Sequence, residues 1–309
     1  MDTKEQMITY IALSLTALFW GLSFVGTKIA LESFSVFTLI LMRFSLASLL
    51  FFLFFLFRGF PRFSKKDHIK IIATAVFQPA LYFFFETFGI EYTTASKAGI
   101  IVATIPMVVL LFSSLFFGER TNGFSIMGAL LSFIGVMILV MGDPKFTWSL
   151  QGHLLGDLFM VGAVISAAAY MVMAGDLGQR YSALDITGTQ MIYGTLLLLP
   201  VCLWQLPPAP LAATSVQAIV AVLFLVFLAT IGAFFCYNYA LSKIAASRAS
   251  LFINAIPVIT AIASWVILGE RLNALQMGGG AIVLFAVYLT NYFTTRKVVP
   301  RMASSPSDI

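Results

Sequence analysis

One self-match constrains this chain more than any other feature. Residues 95–136 can be laid over residues 246–287 without a gap, at a constant shift of 151. In that register Ala95, Ser96 and Ala98 fall on Ala246, Ser247 and Ala249, and Ile105-Pro106 falls on Ile256-Pro257. Gly118-Glu119-Arg120 falls on Gly269-Glu270-Arg271, Gly128 on Gly279, and Lys97 on Arg248, which keeps the charge. A tripeptide, a proline and a run of small residues in one register point to a duplicated chain. Hydropathy says what was duplicated. Of 309 residues 60% are hydrophobic and 10% charged, against about 25% charged in soluble domains. The mean hydropathy is +0.98. A membrane helix uses about 20 apolar residues, so ten would consume about 200, close to the ~185 hydrophobic residues available. A soluble enzyme, a nucleic-acid binder and a disordered chain are all excluded.

Apolar runs between charged or Pro/Gly-marked breaks predict ten helices, near 8–31, 36–57, 69–91, 95–117, 122–141, 153–175, 184–204, 216–241, 246–268 and 274–293. Barrel strands would alternate in polarity, and Leu49 to Phe57 does not. The expected fold is an all-α membrane protein of ten transmembrane helices in two five-helix repeats, 1–148 and 149–297, with a disordered tail at 298–309. Because five is odd, the repeats must enter the bilayer from opposite sides, the inverted arrangement of transporters with a midplane site. With both termini cytoplasmic, thirteen of the eighteen Lys/Arg fall inside and four outside (Lys28, Lys97, Lys145, Arg271), while Arg43 lies within a span. That bias selects cytoplasmic termini and makes the net charge of +5 topological rather than a nucleic-acid signature. The first apolar run has neither a basic leader nor a small-residue cleavage site, so a retained span is expected. Cys202 and Cys236 lie in separate apolar runs and imply neither a disulfide framework nor a metal cluster.

Paired Gly/Pro-interrupted spans are the best sequence pointer to a transporter's site, and Pro106 and Pro257 form such a pair. Each lies about ten residues into its span, or about 15 Å, half of a ~30 Å hydrocarbon core. A packing kink is the competing reading. Arg43 and Glu86 are the deepest charges, both expected about 6–10 Å below the outer surface, as a static ion pair, an outer gate, or a proton site at Glu86. Trp20, Ser23, Phe24 and Thr27 share one helical face suited to a pocket wall or to lipid, with Gly21 and Gly26 suited to close helix packing. Tyr82 and Tyr193 are candidate cavity aromatics on depth. Tyr237, the counterpart of Glu86, and Asn254 are candidate contacts in the second half, whereas Asn238 is expected to bond a neighbouring helix. The Gly-Glu-Arg tripeptides and the His153/Asp157 pair are expected to be structural features at the membrane interface.

Trp20-Gly21 in the first span, Arg43-Phe44 in the second, and Pro…Gly-Glu-Arg after the fourth and ninth resemble the drug/metabolite transporter superfamily, its EamA-like exporters above all. The resemblance covers about residues 8–293. It implies a carrier in the bacterial inner membrane that exports amino acids, related metabolites or drugs from a central cavity. The chain departs from the pattern in lacking a Trp-Gly pair in span six and an Arg in span seven. A small neutral, zwitterionic or amphiphilic solute, membrane lipids, and a proton as candidate coupling ion are the expected partners. No cofactor is implied, and without GxxxxGK[ST] transport would run downhill or on an ion gradient. An intramembrane enzyme lacks HExxH, GxSxG or CxxC, and a channel lacks a polar lining. A lipid flippase or a membrane sensor on the same fold remains the alternative, and the oligomeric state is open.

Overall fold

The computed structural model describes residues 3–117, 123–174, 177–205, 214–244, 249 and 252–297. Glu119-Arg120, Ala246 to Arg248 and the tail from residue 298 lie outside the described residues. Every regular element among those described is helical: α1 (Thr3–Leu31), α2 (Val36–Arg58), α3 (Lys65–Tyr92), α4 (Ala95–Val102), α5 (Ile105–Phe117), α6 (Gly123–Met141), α7 (Gly152–Ala174), α8 (Ala183–Trp204), α9 (Val216–Leu241), α10 (Ile256–Leu268) and α11 (Ala274–Lys297). Seven helical segments are long and apolar enough to cross a membrane, and Ile126–Met141, Ile256–Leu268 and Ala274–Leu289 are shorter apolar helices. Large apolar side chains such as Phe57, Leu115, Phe133 and Trp265 stand more than half exposed, an arrangement that suits lipid and not water. The protein is a multi-pass membrane protein.

Helix starts are set by short polar residues. Ser35, Ser64, Thr94, Ser182 and Ser215 each accept a hydrogen bond from the backbone amide three residues on, satisfying donors that the first turn leaves orphaned. Gly269 ends α10 at φ +68°, a left-handed position that favours glycine.

The two prolines expected to kink continuous spans do something else. Each sits at the second residue of a new helix, α5 or α10, following a tighter turn at Ala103–Thr104 or Asn254–Ala255, where Ala103 and Ala255 keep right-handed helical φ/ψ and donate to carbonyls three residues back. In a first turn proline forfeits no hydrogen bond, so the irregularity lies in the turn before the proline. Two further irregularities were not expected. A kink at Gln78, which leaves helical φ/ψ, interrupts α3 within Val76–Leu81, and a wide, π-type turn interrupts α9 at Leu225–Gly232, positions that overlap at the 151-residue shift.

Contacts between the halves are reciprocal in that same register. Phe44 and Thr195 are equivalent positions, and the Thr195 hydroxyl donates to the Phe44 carbonyl at 2.9 Å. Arg43 meets Thr230, with Nε donating to Oγ1 at 2.7 Å. Their equivalents, Gly194 and Pro79, also meet, and a Cβ on Gly194 would collide with the proline ring. If i touches j′ then j touches i′: this is the pattern of two copies related by a two-fold axis.

Helices α6 and α11 pack backbone to backbone. A Cβ on Gly279 would fall 2.6 Å from the Leu139 amide nitrogen and 2.7 Å from the Gly135 carbonyl oxygen. Neither atom can swing away, so Gly279→Val is expected to cost at least about 1–3 kcal/mol by overpacking. Thermal unfolding in detergent checks this; an unshifted midpoint would show the helices free to separate.

Candidate functional site

A cavity shows the same register. Three equivalent pairs line it: Trp20 with Met171, Val102 with Ile253, and Ile105 with Ile256. The last two pairs flank the tighter turns, so the residues before Pro106 and Pro257, rather than the prolines themselves, face the cavity. Ser23 and Phe24 add to the α1 wall, and Gln78, Tyr82, Phe83 and Glu86 form the α3 wall. The cavity volume is about 20 Å3, room for roughly one water molecule.

Each interruption frees backbone carbonyls, which in a membrane interior need donors. The Gln78 carbonyl accepts from Gln190 Nε2. Its equivalent, the Ala229 carbonyl, accepts from Trp20 Nε1 at 3.2 Å. In both cases the donor comes from the opposite half. Trp20 is thereby fixed, with its ring 5.2 Å from those of Phe234 and Tyr237. Ser23 spends its hydroxyl on the Trp20 carbonyl at 2.7 Å.

Of the residues proposed from sequence, Trp20, Ser23, Phe24, Tyr82 and Glu86 converge on this cavity. Tyr237 is buried behind Trp20 without lining it, and its hydroxyl has no hydrogen-bond partner. Asn254 sits in the turn before α10 and its Oδ1 is also unpartnered. Asn238 is structural, donating to Thr187 Oγ1 at 2.7 Å and accepting from the Tyr170 hydroxyl. Tyr193 is elsewhere: its hydroxyl lies 3.1 Å from His68 Nδ1, in a cluster with Phe63 and Tyr181 at the start of α3. Depth alone suggested Tyr193, but the side of α8 facing the α3 turn is taken by Gln190 and Gly194. Gln78 was missed, because a polar residue before a proline carries no spacing signal.

Arg43 and Glu86 are neighbours as expected, though loosely, with Nη1 3.9 Å from Oε2. The guanidinium is held instead by Thr230 and by the face of Phe83, 4.2 Å from the ring centre. Both residues are 2% exposed or less.

A second charged cluster overturns part of the loop reading. Lys97 is not an outer-loop charge: it is 0% exposed, with Nζ 2.8 Å from Asp143 Oδ2 and 2.7 Å from Asp157 Oδ2. His153 Nδ1 lies 2.6 Å from Asp143 Oδ2, and Thr93 donates to Asp157 Oδ1. His153 and Asp157, expected to be an interfacial pair, each serve this cluster. Nearby, Lys28 Nζ donates to the Ile90 and Thr93 carbonyls. Glu270 accepts from the Ala95 and Ser96 amides at 3.0 and 2.9 Å. The second Gly-Glu-Arg thus caps α4 in the first half, a favourable place for a carboxylate.

Burial pushes the Asp143 carboxyl up, but hydrogen bonds from Lys97, His153 and the Lys145 amide outweigh it and hold the group at about 2. A carboxyl lower in the folded than in the unfolded state, where it sits near ~3.9, stabilises above that pH and loses its contribution as pH falls toward 2. Stability should therefore decline between about pH 4 and pH 2, and Asp143→Asn should remove that part of the decline. Unfolding midpoints across this range check it; identical slopes in both proteins would refute it.

A multi-pass helical protein whose two halves close around a buried aromatic and polar cavity is built like a membrane transporter. The chain belongs to the EamA-like transporter family, whose model matches residues 7–141 and again 154–292. It is 31% identical to the uncharacterized transporter YcxC of Bacillus subtilis over 96% of this chain and 97% of that one. It is 28% identical to an uncharacterized transporter of Archaeoglobus fulgidus over 92% and 98%, and 26% identical to a probable terminal-alkyne amino-acid exporter of Streptantibioticus cattleyicolor over 96% of each. A crystal structure 16% identical in sequence superposes with a TM-score of 0.67, covering 96% of this chain and 100% of that one, a likeness of fold.

Proposed function

We propose that this protein is a secondary carrier that exports small metabolites, amino acids or amphiphilic compounds among them, by alternating access across a bacterial inner membrane. In this reading ten spans form two inverted five-helix halves, 1–148 and 149–297, with both termini cytoplasmic. The carrying observation is the cavity lined by equivalent residues of both halves at paired turns between helices. Turns flanked by cavity residues, held by i→i−3 bonds such as those from Ala103 and Ala255, are the places where α4/α5 and the segment before α10 flex in this reading. A cavity of about 20 Å3 admits no solute as it stands, so binding requires one side to open. The Lys97 cluster, Lys28 and Glu270 bind the α3–α4 corner to both halves, and opening that end would break them. Glu86 is the candidate proton carrier, buried on the cavity wall.

Counterflow in proteoliposomes, with a panel of amino acids, amines and drugs, tests this. Saturable exchange of a panel solute is expected; unit conductance, or no exchange with any solute, would sink it. Trp20→Ala should raise the apparent KM about tenfold, since a cavity aromatic contributes packing area to the bound solute. An unchanged KM would remove α1 from the site. A lipid flippase is the second reading, favoured by one feature: a cleft of about 390 Å3 among α5, α6 and α7, lined by Leu111, Phe133 and Ile165, lies behind the α4–α5 turn. Scrambling of labelled lipid in the same vesicles would select it.

A further inference from the structure

The central cavity holds two acceptors without donors. Gln78 Oε1 and Glu86 Oε2 are buried, have no hydrogen-bond partner, and belong to residues on the same wall. Native proteins pair nearly all such atoms, so two on one small cavity require a reason.

Arg43 does not supply it. At 3.9 Å its Nη1 stands beyond hydrogen-bonding distance of Glu86, and its charge is engaged by Thr230 and the Phe83 ring. Arg43 Nη2 also lacks an acceptor, but Arg43 does not line the cavity. Nor is Gln78 placed by chance. It is the residue at which α3 leaves helical geometry, with φ −150° and ψ 117°, and its carbonyl is held by Gln190. The kink therefore sets where its side chain goes. Trp20, Phe24 and Tyr82 bring aromatic rings to the lining, a residue type that attracts cations, whereas the Phe83 face is taken by Arg43. An ammonium head group is close to a water in size and fits a cavity of about 20 Å3.

Building on the carrier reading, we propose that Gln78 and Glu86 form an ammonium subsite, and that the protein selects solutes carrying a protonated amine. The amine N–H groups donate to Gln78 Oε1 and Glu86 Oε2, and the solute body lies against Trp20 and Phe24 once the cavity widens. Solutes offering only carboxylate or phosphate bring acceptors to acceptors and are rejected. Gln78 is then a specificity-determining residue.

Three probes with one skeleton test this by calorimetry on the purified full-length protein: L-phenylalaninamide, hydrocinnamamide, which lacks the amino group, and hydrocinnamate, which is an anion. L-phenylalaninamide is expected to bind about tenfold or more tighter than either, because a site built to bond a polar group strongly disfavours the analogue without it. Gln78→Leu and Glu86→Gln should each shrink that preference severalfold. The wild-type comparison decides alone where a variant does not fold. Equal binding of the first two probes would assign both acceptors to a bound water and overturn the subsite, as would preference for hydrocinnamate or no binding of L-phenylalaninamide. Saturable counterflow of another solute in that event would leave the carrier reading standing, whereas loss of all counterflow would strike the carrier reading itself.

Discussion

Lys97→Met is expected to destabilise the protein by about 3–5 kcal/mol, the cost of leaving buried charges uncompensated. Two carboxylates, Asp143 and Asp157, are within 2.8 Å of the ammonium and mostly shielded from water. Methionine fills the volume of the lysine stem, so the loss isolates the charge. The partners come from α4, the α6–α7 connection and α7, which makes the cluster a tie between the halves as well as a local ion pair. The triple variant Lys97→Met/Asp143→Leu/Asp157→Leu should recover most of the loss, because removing a buried cluster whole is often neutral where breaking it is costly. Unfolding midpoints of the three proteins in one detergent check both statements. A Lys97→Met midpoint within experimental error of wild type would mean that water reaches these carboxylates.

The repeat register was legible because it rests on identities such as Ile-Pro and Gly-Glu-Arg, and it organises what the structure adds. The pairs Trp20/Met171 and Val102/Ile253 share no residue type, yet they line one cavity at one shift. Chemistry diverged while geometry was kept. The proximity of Arg43 and Glu86 was also legible, since counting residues along the spans gave both the same expected level. Azimuth was not. Tyr193 and Gln190 lie less than one turn apart on α8, and one bonds His68 while the other bonds the Gln78 carbonyl. The α3 kink and the α9 wide turn were illegible for a similar reason. One contains Pro79 and the other no proline, so only comparison of the two folded halves brings them out. Lys97 was misassigned because a positive residue near a helix start is ordinarily a loop charge, and nothing in the spacing of Asp143 and Asp157 announces that they converge on it.

The Arg43–Glu86 pair should behave oppositely to the Lys97 cluster, and the difference follows from distance. Lys97 makes two charge-assisted hydrogen bonds at 2.7–2.8 Å, whereas Glu86 stands 3.9 Å from Arg43 with Oε2 unpartnered. Glu86→Gln conserves shape and leaves Arg43 held by Thr230 and Phe83. Its stability should therefore fall by less than that of Lys97→Met, because no hydrogen bond is lost and only the attraction across 3.9 Å is removed. Its transport should change far more. A carboxylate that is buried on the cavity wall and not committed to its neighbour can exchange a proton during the cycle; glutamine cannot. With Glu86 as the carrier, Glu86→Gln should flatten the dependence of transport on pH, and a pH gradient should no longer drive accumulation of the exported solute. Uptake into inside-out vesicles at several pH values measures this, alongside the unfolding midpoint. A retained pH profile at normal stability would move the coupling proton to another group, and a large drop in midpoint would make Glu86 a structural partner of Arg43. A flat profile on an intact fold is an outcome that a merely structural carboxylate does not produce, because such a group would alter the amount of folded protein and leave the shape of the profile unchanged.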